Sequence, residues 1–171
     1  ASLRLNTTGS SNVGLGYEAL RSNTTASNNT AVGYQASYAS STGASNTAVG
    51  WRALTSNTAS NNTAVGFQSL YDNTTGSYNT AVGQSALENN TTAAANTAVG
   101  YQALTTNTTG GDSAAFGYQA AQSNTTGNYL TAIGRQALYN NTTADYNTAV
   151  GYQAAYSNTT GERNTAMGVQ S

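Results

Sequence analysis

The chain has no cysteine, no proline and no histidine, and charged residues make up only 6% of its 171 positions. A typical soluble domain carries roughly 25% charged residues, so this surface is built from neutral side chains. Each absence removes some chemistry. Without thiol or imidazole there is no Cys- or His-ligated metal site and no nucleophilic mechanism that needs a thiol or a histidine base. A disulfide-stapled scaffold is excluded as well, which suits an unstapled surface protein and a cytosolic one equally. The net charge of −1 gives nucleic acid and anionic membranes no electrostatic reason to bind. No apolar run is long enough to cross a bilayer, and no signal-peptide pattern opens the chain at Ala1, so no membrane insertion is expected within this segment.

What is present is repetition. The phrase Asn-Thr-Ala-Val-Gly-Tyr-Gln-Ala-Leu stands complete at Asn96 to Leu104, and variants of it recur along the chain. Its glycines fall at Gly16, Gly33, Gly50, Gly66, Gly83, Gly100, Gly117, Gly134, Gly151 and Gly168, a spacing of 17 residues with a single step of 16. Such a period marks a tandem array. Residues 1–11 form a partial unit, and 12–171 form one array that stops inside a phrase at Ser171. The ends suggest a segment of something longer. The slot before each glycine is always apolar: Leu15, Val32, Val49, Val65, Val82, Val99, Phe116, Ile133, Val150 and Met167. A disordered tract of Thr, Asn, Ser, Ala and Gly has no reason to keep such a slot.

Seventeen residues are too few for the paired helices of a helical solenoid, and the composition scores poorly on helix propensity. The unit suits one coil of an all-β parallel solenoid, with two short strands and two turns. The turn chemistry sits in Asn-Thr-Thr-Gly or Asn-Thr-Thr-Ala strings, at Asn23, Asn73, Asn90, Asn107, Asn124, Asn141 and Asn158. The short unit loses its residue there, in Ser56-Asn57-Thr58-Ala59, and leaves Asn62 to Gly66 intact. A slip inside a strand would turn every side chain to the wrong face. Alternation puts Thr and Val on one face and Ala and Gly on the other. The expected core is the apolar column before the glycines, with a second column at Leu20, Leu54, Leu70, Leu87, Leu104 and Leu138, weakened by Ser37, Ala121 and Ala155. That is little apolar burial against a backbone entropy cost of about 1–2 kcal/mol per residue. Association with further copies, through the bulk-free Ala/Gly face, is the expected remedy.

The phrase with its Asn-Thr-Thr-Gly linker resembles the head repeats of trimeric autotransporter adhesins (YadA-like) and the repeat shafts of bacteriophage tail fibres. The matching core is the apolar-Gly step preceded by Asn and Thr or Ser, as in Ala98-Val99-Gly100, and the likeness runs from Asn12 to Ser171. It implies a left-handed parallel β-roll in each chain, three chains in a tight trimer, and a role in surface presentation and attachment outside the cell or on a virion. The repeat is a few residues longer here than in the adhesin heads, the extra residues lying around the Asn-Thr-Thr loop.

Candidate surfaces follow from the remaining slots. Tyr17, Tyr34, Trp51, Phe67, Tyr101, Tyr118 and Tyr152 form an aromatic column that could pack between coils or chains, or stack on glycans. Gln35, Gln68, Gln102, Gln119, Gln136, Gln153 and Gln170 form an amide column suited to axial hydrogen bonding. The phrase-initial Asn column, Asn29, Asn46, Asn62, Asn79, Asn96, Asn147 and Asn164, reads as a turn-stabilising ladder. Asn73, Asn107 and Asn158 also match the N-glycosylation pattern. Glu18, Asp72, Glu88, Asp112, Asp145 and Glu162 are scattered across different slots and coils, with Asp72 and Glu88 one repeat apart in adjacent slots; general acid–base pairs and calcium cages need convergence. The expectation is a non-enzymatic, cofactor-free shaft of an extracellular fibre whose partners are its own copies and a host-surface glycan or matrix protein. Two rivals are a filament subunit stacking end to end through open sheet edges, and an ice- or glycan-binding solenoid using the Thr column at Thr30, Thr47, Thr63, Thr80 and Thr97.

Overall fold

The computed structural model describes residues 1–171 and is all-β with no helix. Ten three-residue strands stack in chain order: β1 (Val13–Leu15), β2 (Thr30–Val32), β3 (Thr47–Val49), β4 (Thr63–Val65), β5 (Thr80–Val82), β6 (Thr97–Val99), β7 (Ala114–Phe116), β8 (Thr131–Ile133), β9 (Thr148–Val150) and β10 (Thr165–Met167). Every neighbouring pair is parallel and in register, Thr on Thr, Ala on Ala and Val on Val wherever the units are regular. The result is a β-solenoid of about nine turns, about 45 Å long at a strand spacing of about 4.8 Å. The 16-residue unit keeps this register, with Thr47 opposite Thr63. Its loss is absorbed by the loop, where Asn57 Nδ2 reaches the Ala59 carbonyl two residues on, against three residues in the full-length loops.

Each coil contains one strand, not the two expected. The Gln-Ala-Leu stretch alternates in handedness instead, with Gln102 at φ 53° and Leu104 at φ 52°. Its amides point along the stack in opposite directions: Gln102 N–H donates to Gln84 O in the coil before, and Leu104 N–H to Ala120 O in the coil after. Most backbone bonding lies outside the strands, which hold only 18 of the 104 backbone hydrogen bonds. Left-handed non-glycine residues cost roughly 1–2 kcal/mol each. Every coil accepts that cost because its neighbours satisfy the exposed amides.

The phase of the strand is the reverse of the expected one. Ala31, Ala48, Ala64, Ala81, Ala98, Ala132 and Ala149 are fully buried. Their neighbours on the opposite face point out: Val32, Val49, Val65, Val82, Val99 and Val150 are only half-buried, while Leu15, Phe116, Ile133 and Met167 are 40–70% exposed. The Ala face therefore cannot receive another chain, and the apolar column is not the coil interior. The reason is width. A second wall of buried alanines and leucines, such as Ala103 and Leu104, closes on the strand from across the coil. The two walls meet with Leu on one side and room only for a methyl group on the other.

Two buried asparagine ladders flank this apolar seam. In the loop ladder, Asn107 Nδ2 donates to Asn90 Oδ1 at 3.0 Å and to Gly110 O at 2.8 Å, while its Oδ1 accepts from Asn124 Nδ2 at 2.8 Å. The same pattern links Asn57, Asn73, Asn90, Asn107, Asn124, Asn141 and Asn158. In the phrase ladder, Asn79 Oδ1 accepts the Asn96 amide at 3.0 Å and Asn79 Nδ2 donates to Ala93 O at 2.8 Å. An amide side chain carries donor and acceptor together, so identical residues can bond one another indefinitely along an axis.

Both the leucine and the loop ladders fail in one coil. Ser37 replaces Leu and Ser40 replaces Asn; both are buried, and Ser37 Oγ, Ser40 Oγ and Asn23 Oδ1 have no partner. Ser40→Asn should rejoin Asn23 to Asn57 and raise stability by about 1–2 kcal/mol. Urea unfolding of the variant against the parent chain measures this, the expected sign being a higher midpoint with an unchanged slope.

Candidate interaction surfaces

No group of three or more acidic residues converges on a point that could hold a metal ion. Glu18 is engaged by Gln35 Nε2 at 3.0 Å and lies beside Arg21; Asp145 accepts from the Asn128 amide; Glu162 lies beside Arg163. Asp72 and Glu88 meet through backbone, Asp72 N–H donating to Glu88 O at 2.9 Å. Burial pushes the Asp72 carboxyl above its ordinary range. A raised carboxylate pKa means that the ionised form is disfavoured in the folded chain, so this group detracts from stability as pH rises through its folded pKa and not below its unfolded one.

The strand face keeps one chemical character along the stack. Thr and the apolar column project from it in rows, because alternation that buries Ala must expose its neighbours. In coil seven Ala114 stands where Thr belongs, and a shallow depression of about 340 Å³ opens there among Thr97, Asp112, Ala114, Tyr129 and Thr131. No charged residue lies within any of the ten strands.

At the corner after the strand, the repeat glycines take φ between 120° and 140°, a region closed to other residues. The next slot carries the aromatic column. Tyr17, Tyr34, Trp51 and Phe67 stack continuously at 4.7–6.1 Å between centroids, and Tyr101 stacks on Tyr118 at 5.2 Å. Gln84 leaves a gap between the two runs. Arg135 does not break the second run, for its guanidinium lies over both Tyr118 (5.4 Å) and Tyr152 (5.8 Å). Rings stacked in this way cover one another's faces and present edges to solvent. Open ring faces are therefore confined to the ends of each run, and the interior rings serve coil-to-coil packing.

Beside the rings, amide bonds run from Gln102 through Gln119, Gln136 and Gln153 to Gln170 at 2.9–3.1 Å. Toward the N-terminus the same slot continues in mixed form, with Arg52 Nε donating to Gln35 Oε1 at 2.9 Å. Asn73 and Asn107, two of the glycosylation matches, are fully buried with both Nδ2 hydrogens used. The folded stack leaves neither nitrogen accessible for modification, and Asn158 is half-buried in the last coil.

Two features escaped the sequence reading. One is the burial of the loop asparagines. The other is a pair of extra tyrosine stacks, Tyr129 on Tyr146 at 4.8 Å and Tyr139 on Tyr156 at 5.0 Å. Equal slot positions one period apart were the available signal for both. No protein-family model, no curated protein and no solved structure matches the chain.

Proposed function

We propose that this chain is a structural and adhesive shaft segment of an extracellular fibre, of the kind found in bacterial surface adhesins and phage tail fibres, and that its strand face packs against further copies, three in all. One observation carries the reading: the uncharged Thr/Val face exposes an unbroken apolar column along the stack. Contiguous exposed apolar surface marks an interaction site. The partner that matches a column of this periodicity without adaptation is an identical column. The work of such a shaft is mechanical: it extends, resists unfolding and proteolysis, and presents its corner residues for attachment. Replacing Val65, Val82 and Val99 together by lysine should leave the β circular-dichroism signal intact, because these side chains lie outside the coil, and should reduce the assembly to single chains. An assembly that survives all three lysines would remove this face from the interface.

A second reading gains support from the same geometry. A solvent-facing, in-register Thr column is the arrangement an ice- or crystal-surface binder needs, and the substitutions at Val13 and Ala114 are its main interruptions. Thermal hysteresis in a chain that stays monomeric would favour it over the shaft.

A further inference from the structure

We propose that the tyrosine stacks are oxidative coupling sites, at which a one-electron oxidant of the peroxidase–peroxide class joins successive coils through dityrosine. Four pairs share one geometry: Tyr17–Tyr34, Tyr101–Tyr118, Tyr129–Tyr146 and Tyr139–Tyr156, with centroids 4.8–5.2 Å apart and ring planes within 7–13° of parallel. The first three pairs are 38–59% exposed, and the fourth is half-buried. An oxidant can reach them.

The backbone holds each pair in place. Gln35 N–H donates to Tyr17 O at 2.8 Å, Gln119 N–H to Tyr101 O at 2.8 Å and Tyr146 N–H to Asn128 O at 3.0 Å, so the partners cannot drift apart between oxidation events. Held reactants of this kind couple at high effective concentration. Stacked rings first present faces to each other; a quarter turn about the Cβ–Cγ bond brings their ortho carbons edge to edge.

Each phenol loses one electron and its hydroxyl proton, giving two phenoxyl radicals. These form one carbon–carbon bond between ortho carbons. The two ring protons displaced at those carbons return to the phenolic oxygens as the rings regain aromaticity. One hydrogen peroxide takes up the two electrons and two protons and leaves as two waters. A chain without cysteine has no disulfide with which to lock coil to coil, and this bond would do so from outside the core. The inference rests on the stacks alone and does not require the shaft reading.

The test treats the full chain with horseradish-type peroxidase and hydrogen peroxide, as a mixture of ¹⁵N-labelled and unlabelled protein, and reads dityrosine fluorescence and cross-linked peptides by mass. The expected result is several-fold more dityrosine than from the same chain in urea, a yield per chain independent of dilution, and links within one isotopic species joining the four stacked pairs. Replacing Tyr34, Tyr118, Tyr146 and Tyr156 by phenylalanine keeps the rings and removes one phenol from each pair, and should abolish most of the signal. Links mainly between isotopic species, a yield no greater than in urea, or full signal in the phenylalanine variant would each overturn the proposal.

Discussion

Replacing Gly100 by alanine is expected to cost more than about 3 kcal/mol, enough to break the stack at that coil. Two effects combine there. Gly100 sits at φ 138°, and a Cβ would lie 2.3 Å from Gly117 O and 2.7 Å from its carbonyl carbon. The neighbouring loop glycine separates these effects. A Cβ on Gly110 would meet Gly127 O at 2.3 Å, an equal clash, but its φ is not in the left-handed range. That slot already holds Ala26, Ala59, Ala93 and Ala144 in other coils, so the stack can shift to admit a methyl group when the backbone conformation allows one. Gly110→Ala should therefore cost about 1 kcal/mol or less. Gly168 supplies the converse, with φ 120° and nothing within 4 Å of an added Cβ. Gly168→Ala should show the conformational penalty without the clash. Urea unfolding of the three variants, followed by native-state hydrogen exchange to locate the break, checks the ranking Gly100 first, Gly168 second and Gly110 last. Equal losses at Gly100 and Gly110 would mean that crowding alone keeps the corner glycine.

Asn107→Leu is expected to be comparably damaging, by about 3–5 kcal/mol, although leucine is the more hydrophobic residue and the site is fully buried. The substitution orphans Asn90 Oδ1, leaves Gly110 O with Asn96 Nδ2 as its one remaining donor, and removes one acceptor from Asn124 Nδ2. Each group stays buried without water to replace its partner. Asn107→Asp adds a sign that can be tested. Its carboxylate would face Asn90 Oδ1 and Gly110 O, two acceptors, where the amide had donated. Only the protonated acid can donate, so the folded-state pKa should rise above the unfolded value. Such a group is least harmful below its unfolded pKa and grows more so as pH rises through the folded one. Asn107→Asp should thus regain stability on acidification, whereas Asn107→Leu should not. The pH dependence of the unfolding midpoint distinguishes the two; a flat Asp profile would argue against the ladder as the source of the loss.

The period, the strand class and the placement of the deletion in a loop were all readable from spacing, because a repeat that must stack tolerates length changes only where side chains have no assigned face. The phase of the strand was not. Thr-Ala-Val alternates equally well either way, and hydrophobicity favours Val inside. What decides is the width of the coil, set by the Ala-Leu wall across from it, which one strand in isolation does not reveal. Leucine in a left-handed turn was hidden for a related reason, since its own preference opposes the conformation and only the neighbouring coils repay it. The loop asparagines did leave a trace. From Asn57 onward every coil keeps Asn there, while the residue before it varies among Ser, Asp, Asn and Thr. A solvent-exposed turn accepts Asp, Ser or Gly in such a slot; a buried axial ladder accepts only an amide.

The proposed surfaces trace back to that phase. Ala inside means Thr and Val outside, and Val outside means a column with no partner in its own chain. The reading of this molecule as a self-packing shaft stands on that column, and sedimentation equilibrium of the purified chain across a range of concentrations tests it most directly. The account predicts a stable species of three times the 17.4 kDa chain mass, dissociated by lysine at Val65, Val82 and Val99. A well-folded species that remains at the single-chain mass at every concentration would contradict it.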